Sequence, residues 1–138
     1  MTPFTYTFRT TENDIDLNGH VSNITYLEWM IEAATRHSDA VGYGFDACHR
    51  LGGMWVAKSH HIEYKRPVFA GETLRMKTWV EDTGNVMSVR RYVLTREEDG
   101  AVVCEGRTEW VYADLHTMRP KKIPPQMKAA FVSEAAEI

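Results

Sequence analysis

A single long helix between one short strand and four long ones predicts an α+β protein, with the helix laid against an antiparallel sheet of about five strands. Three observations carry that expectation: strict alternation over residues 4–9, apolar residues at three- and four-residue spacing from 22 to 41, and four strand-like stretches separated by turn residues. In the first, Phe4, Tyr6 and Phe8 alternate with Thr5, Thr7 and Arg9, which suits a half-buried strand. In the second, Ile24, Leu27, Ile31, Ala34 and Val41 form a stripe that Tyr26, Trp29, Met30 and Ala33 widen, and neither Gly nor Pro interrupts it before Gly42. At about 1.5 Å per residue such a helix runs on the order of 30 Å. A stripe this broad implies a sheet wrapped round the helix.

The strand stretches fall at 54–64, 72–82, 86–97 and 101–113. Leu74, Met76, Thr78 and Val80 oppose Arg75, Lys77 and Glu81, while Val102, Cys104, Thr108, Trp110 and Tyr112 oppose Glu105, Arg107 and Glu109. Both read as strands with one wet face. Asp82-Thr83-Gly84-Asn85 and Glu98-Asp99-Gly100 are short, turn-rich links, so the strands on either side should pair as antiparallel hairpins. Pro67 and Gly71 bracket the remaining connection. Pro125 begins a short helix through about Phe131, and the residues after it read as a frayed end.

With 138 residues the chain is expected to be one domain, 1–138. A formal charge of −3 leaves no bulk basic surface for nucleic acid, and no run approaches the roughly 18 apolar residues needed to cross a bilayer. Cys48 and Cys104 form no CxxC pair, and Met1-Thr2-Pro3 leads straight into the alternating segment instead of an apolar leader. A cytoplasmic protein with free thiols is expected.

Chemistry is concentrated at Asp14-Ile15-Asp16-Leu17-Asn18-Gly19-His20-Val21-Ser22-Asn23, immediately before the helix. A helix cap needs one or two polar groups, and this segment supplies a surplus. The plain structural alternative is that Asp14 or Asp16 forms a turn or sits near the positive helix end, worth about 0.3–1 kcal/mol. A metal site from Cys48, His49, His60 and His61 lacks any recognised ligand spacing, so no metal or cofactor is expected. Gly42-Tyr43-Gly44-Phe45-Asp46-Ala47 mimics a dinucleotide-binding loop but follows a helix, and is set aside.

The segment Asp16 to Tyr26 resembles the hotdog-fold acyl thioesterases, especially the branch containing 4-hydroxybenzoyl-CoA thioesterase. Tyr64-Lys65-Arg66-Pro67 with Gly71-Glu72, and Thr117-Met118-Arg119-Pro120 with Ile123-Pro124, extend the resemblance over essentially the whole chain. It implies a helix wrapped by a curved sheet, with two subunits joined sheet edge to sheet edge in a homodimer or homotetramer and active sites between subunits. It also implies hydrolysis of an acyl-CoA or acyl-carrier-protein thioester without a cofactor. By the same resemblance Asp16 is the nucleophile or general base, and the backbone N–H of Asn23 holds the oxyanion at the helix start.

Plant acyl-carrier-protein thioesterases carry a similar Asn-x-His-Val-Asn-Asn run; here it reads Asn18-Gly19-His20-Val21-Ser22-Asn23. His20 is therefore expected to orient or polarise, with Asn18 beside it, and Gly19 to bring backbone close to the thioester. Ser59 and His61 share one strand face and are expected to contact substrate. Arg90, Arg91, Arg96, Lys65, Arg66, Arg119, Lys121 and Lys122 are the candidates for coenzyme A phosphates. The 4-hydroxybenzoyl-CoA enzyme has a basic run before a Ser on its fourth strand, whereas here Asn85-Val86-Met87 precede Ser88. The rival readings are a non-catalytic acyl-CoA-binding module and a hydratase or dehydratase on the same fold.

Overall fold

The computed structural model describes residues 3–136. Met1-Thr2 and the final residues of the expected frayed end lie outside it. Strand β1 (Phe4–Arg9) leads through a 3-10 turn (Glu12–Asp14) to helix α1 (Asn23–Ala40) and a short α2 (Phe45–Arg50). Strands β2 (Gly53–Tyr64), β3 (Thr73–Thr83), β4 (Met87–Arg96) and β5 (Val102–Asp114) follow, and α3 (Pro125–Ala136) closes the order. The five strands form one antiparallel sheet in the order β1-β3-β4-β5-β2. Both expected hairpins are present, β3 with β4 and β4 with β5. The α+β class and the helix-in-sheet architecture therefore stand.

Two devices hold α1 in place. At its start the Ser22 hydroxyl accepts from the Ile24 N–H at 3.2 Å. At its end Gly42 takes φ +85°, its N–H donating to Asp39 O at 3.1 Å while the Tyr43 N–H reaches Ser38 O at 2.9 Å, a pair of bonds that satisfies the last free carbonyls. Helix and sheet meet closely at Gly106, where an added Cβ would sit 2.6 Å from Met30 Cε and Sδ. Only a residue without a side chain lets α1 sit this low on the strand.

The buried face of α1 differs from the expected one. Tyr26, Met30, Ala33, Ala34 and His37 point to the core, whereas Ile24 and Ile31 are exposed. Because the helix is apolar round most of its circumference, spacing alone does not choose which side meets the sheet. The sheet contributes Leu74, Met76, Tyr92, Leu94, Val103 and Cys104 to the same core. The expected inward set of β3 is observed: Leu74, Met76, Thr78 and Val80 are all buried. α3 runs further than Phe131, and α2 lies in what reads as a bare connection. Among the described residues, no helix is long and apolar enough to cross a membrane.

Strand β2 is an edge with one neighbour, and most of its twelve residues are exposed. Such a row of unpaired backbone groups is a template for another strand.

Candidate active site at the mouth of the long helix

The polar segment ahead of α1 folds into a pinned loop. An isolated bridge joins Ile15 to Val21, and the Val21 N–H donates to Val68 O at 2.8 Å, so both ends of the loop are anchored to the body of the protein. Between those anchors the Asp16 N–H reaches His20 O at 3.0 Å, and the Gly19 N–H returns to Asp16 O at 3.0 Å. Closing so short a loop puts Gly19 at φ +85°, a conformation natural to glycine. The Asp16 side chain then folds over its own turn, Oδ1 accepting from the Asn18 N–H at 2.8 Å. Oδ2 has no hydrogen-bond partner and no cation pairs with the carboxylate among the described residues. Asp16 is thus half-buried, held by one oxygen, with the other open.

Helix entry supplies the complementary group. Ser22 caps Ile24, and the Thr25 N–H donates to Ser22 O at 3.0 Å. The Asn23 N–H donates to no acceptor among the described residues, so capping and any oxyanion role use different donors. His20 is half-buried, with Nδ1 3.4 Å from Val21 O. Asn18, Gly19 and Asn23 are exposed. One loop and one helix start therefore bring together Asp16, Asn18, Gly19, His20 and Asn23.

Ser59 and His61 are elsewhere. They pair across the sheet with Glu109 and Arg107, which alternate with the buried Thr108 and Gly106, so they lie on the face turned away from α1. The Ser59 hydroxyl donates to Glu109 at 2.6 Å, and His61 sits 3.4 Å from Glu63. No hydrogen bond or ion pair joins either to the Asp16 loop. Strand residues that do face the helix side are His60, with Nδ1 2.9 Å from the Thr108 hydroxyl, and Tyr64. The Tyr64 hydroxyl reaches Asn23 O at 3.4 Å and its ring lies 5.2 Å from that of Tyr26, edge on. Tyr64 is the group at this mouth that sequence reading missed. Its alternation with His60 and Ile62 was the signal that could have found it.

The basic candidates separate as well. Arg91 is paired with Glu81 at 2.9 Å, Arg96 with Glu72 and Asp99 at 2.6 and 3.0 Å, and Lys65 with Glu63 at 3.2 Å. Lys121 lies 3.8 Å from Asp114. Arg66, Arg119 and Lys122 are exposed and carry no ion pair among the described residues. Arg90, one of the candidates for coenzyme A phosphates, is buried, because its register on β4 turns it inward between Ser88 and Tyr92. Among the described residues no three His, Cys, Asp or Glu side chains gather as a metal-binding group.

The sequence model of the thioesterase-like superfamily matches residues 10–131. The chain belongs to that superfamily. A palmitoyl-acyl carrier protein thioesterase of Arabidopsis thaliana is 34% identical over 103 residues, which cover 71% of this chain and 22% of the plant protein. This thioesterase-like chain spans 22% to 38% of the length of the first Arabidopsis relatives it matches. The long-chain acyl-CoA thioesterase FadM of Escherichia coli is 24% identical over 117 residues, covering 83% of this chain and 86% of FadM. In three dimensions a DHNA-CoA thioesterase of Staphylococcus aureus superposes with a TM-score of 0.87 at 22% identity, covering 99% of this chain and 93% of that one. A second Staphylococcus aureus protein, solved in complex with CoA, gives 0.90 at 19% identity, with 99% and 87% covered. At these identities the structural likeness establishes the hotdog fold.

Proposed function

We propose that the chain is an acyl thioesterase that hydrolyses an acyl-CoA or acyl-carrier-protein thioester to a carboxylic acid and a thiol. The reading rests on one observation: a carboxylate with one oxygen unpaired, Asp16, and the Asn23 N–H, which has no acceptor among the described residues, stand on one pinned loop and the helix start that follows it. As general base, Asp16 takes a proton from water, the hydroxide adds to the carbonyl carbon, and the C–S bond breaks as the thiolate leaves with that proton. As nucleophile, the same carboxylate adds to the carbonyl carbon, the C–S bond breaks to expel the thiolate and leave an acyl anhydride, and water cleaves the anhydride to the acid and the Asp16 carboxylate, its released proton matching the thiolate. Either route places negative charge on the carbonyl oxygen, where a fixed N–H and the positive helix end act on it. His20 and Asn18 shape this mouth, and Gly19 lets backbone approach the thioester. Ser59 and His61 contact substrate from a neighbouring subunit. The thioesterase activities of the plant relatives and of FadM support the reaction class.

The competent unit is a homodimer or larger homo-oligomer. Leu17 is fully exposed beside Asp16 and Ile24 is 72% exposed on the first turn of α1, an apolar rim that water penalises. Pairing β2 with a second copy closes the long free edge and brings another subunit to this rim. Cys48 and Cys104 are unpaired and buried, which suits the reducing cytoplasm.

The test is thiol release from short, long and aromatic acyl-CoAs and from acyl-carrier protein. Release from at least one of them, abolished in Asp16→Ala while CoA binding persists, is expected. Binding of acyl-CoA with no release by the native protein would make the chain an acyl-CoA-binding module instead.

A further inference from the structure

At the other end of α1 lies a cleft of about 330 Å³, walled by α1, α2, α3 and the inner face of the sheet and open to solvent on one side. Its size falls in the range of small-molecule sites, and its walls are mostly apolar, with Trp55, Trp110 and Phe131 among them. The charged groups on those walls are all of one sign. Arg90 and Lys128 line it, and no Asp or Glu does among the described residues.

Arg90 is the unusual member. Its side chain is 4% exposed, and its bonds among the described residues are from Nη1 to His37 Nδ1 at 2.9 Å and to the Thr78 hydroxyl at 3.1 Å. Both acceptors are neutral. The Thr78 hydroxyl gives its own proton to Arg91 O at 2.8 Å. His37, stacked on Phe4 at 5.2 Å and met edge-on by Phe131 at 5.1 Å, has its pKa lowered to about 4 by burial and by Arg90. It therefore accepts through Nδ1 and carries its proton on Nε2, which is buried without a partner. Burial brings the Arg90 pKa down to about 10, which still leaves a full cation at neutral pH. A buried charge without a counter-ion is strongly disfavoured, and most such groups in proteins sit beside an acid. Here no carboxylate pairs with it among the described residues, and Arg90 lines the open space of the cleft.

We propose that this cavity binds the carboxylate of an organic acid with an apolar body, the anion on Arg90 and the hydrocarbon against Trp55, Trp110 and Phe131. Such an anion comes from a free acid or from the far end of a dicarboxylic acyl group. Its lining residues include none of the Asp16 loop, so the binding claim does not depend on the hydrolase reading.

Trp55 and Trp110 make the protein its own probe. Titrating the native protein with octanoate, octan-1-ol and octylamine is expected to give saturable changes in tryptophan fluorescence, with octanoate at least about tenfold tighter than the alcohol and octylamine weakest. Equal or better binding of the alcohol would overturn the proposal without any variant. Arg90→Met is expected to abolish the preference for octanoate while melting cooperatively, and Arg90→Lys to keep part of it. A folded Arg90→Met protein that retained the preference would also overturn the proposal. A second arm, which does rest on thioester hydrolysis, compares octanoyl-CoA with octanedioyl-CoA. A lower KM for octanedioyl-CoA, lost in Arg90→Met, assigns the anion to the acyl group. Equal KM values beside tight octanoate binding assign it to a free acid.

Discussion

At its N-terminal end α1 meets a carboxylate held by one oxygen, a helix N–H and a rim of exposed apolar side chains; toward its C-terminal end the same helix closes over a guanidinium, and among the described residues neither that N–H has an acceptor nor that guanidinium an acid beside it. The first region is open and its apolar rim is bare in a single chain. The second is a partly enclosed cleft, lined by residues of all three helices and of the sheet. The contrast separates two kinds of unsatisfied group. An open acid and a free N–H facing solvent cost little and are ready for a reacting carbonyl, whereas a buried cation costs much and calls for a bound counter-charge.

The sharpest way to break this contrast is to remove the free N–H itself. Asn23 is the first residue of α1, where proline is tolerated because its missing N–H has no intrahelical partner, and Ser22 at φ −63° and ψ 141° already has the extended conformation a following proline demands. Asn23→Pro should therefore fold normally while turnover falls about 10²–10³-fold, and Asn23→Ala should stay within a few-fold of native. Steady-state thiol release beside a thermal melt reads both. Next comes the open rim: Val56→Lys on the free edge of β2 should shift the protein toward monomer in sedimentation and lower turnover roughly tenfold, since edge lysines block strand pairing.

The enclosed region predicts an acid-sensitive fold. Folded His37 has a pKa of about 4 against an ordinary 6.5, because burial and then Arg90 oppose its charging. Between those values the unfolded chain binds a proton that the folded chain refuses. This contribution is complete well above pH 6.5 and is lost as pH drops toward 4, by on the order of 3 kcal/mol. Asp99 and Asp114, held below their ordinary 3.8 mainly by backbone N–H groups, lose their contribution only at lower pH still. Denaturant titrations from pH 7 to 4.5 should show the decline, and His37→Gln should flatten it. The smallest effect is at the cap: Ser22→Ala should cost about 1 kcal/mol in a thermal melt and leave turnover nearly unchanged, because the hydroxyl serves Ile24 and not Asn23.

The two regions also differ in how they could be read from sequence. The Asp16 loop was legible because its chemistry is contiguous: acid, glycine, histidine and cap follow one another within eight residues. β3 was legible because Leu74, Met76, Thr78 and Val80 alternate with charges and have one choice of face. α1 was legible as a helix but not in its orientation, since isoleucines on the solvent side are as apolar as Met30 on the core side. α2 has six residues, too few for a period to show. The Arg90 and His37 pair spans 53 positions and two elements, so no local pattern joins it. The alternation of Ser88, Arg90, Tyr92 and Leu94 did carry a trace of it, a cation in an inward register. That Ser59 and His61 face away from α1 was not legible, because alternation shows only that they share a face and the register with β5 decides which face it is.

The central claim is that the Asp16 carboxylate performs the chemistry at the helix mouth. Asp16→Asn is the direct measurement, because an amide oxygen can still accept from the Asn18 N–H and hold the turn while losing basicity and nucleophilicity. The account predicts an unchanged melting temperature and subunit number, with kcat on the best acyl thioester lowered at least about 10²-fold. A variant that turned over within a few-fold of the native protein would contradict it and leave Asp16 a turn residue.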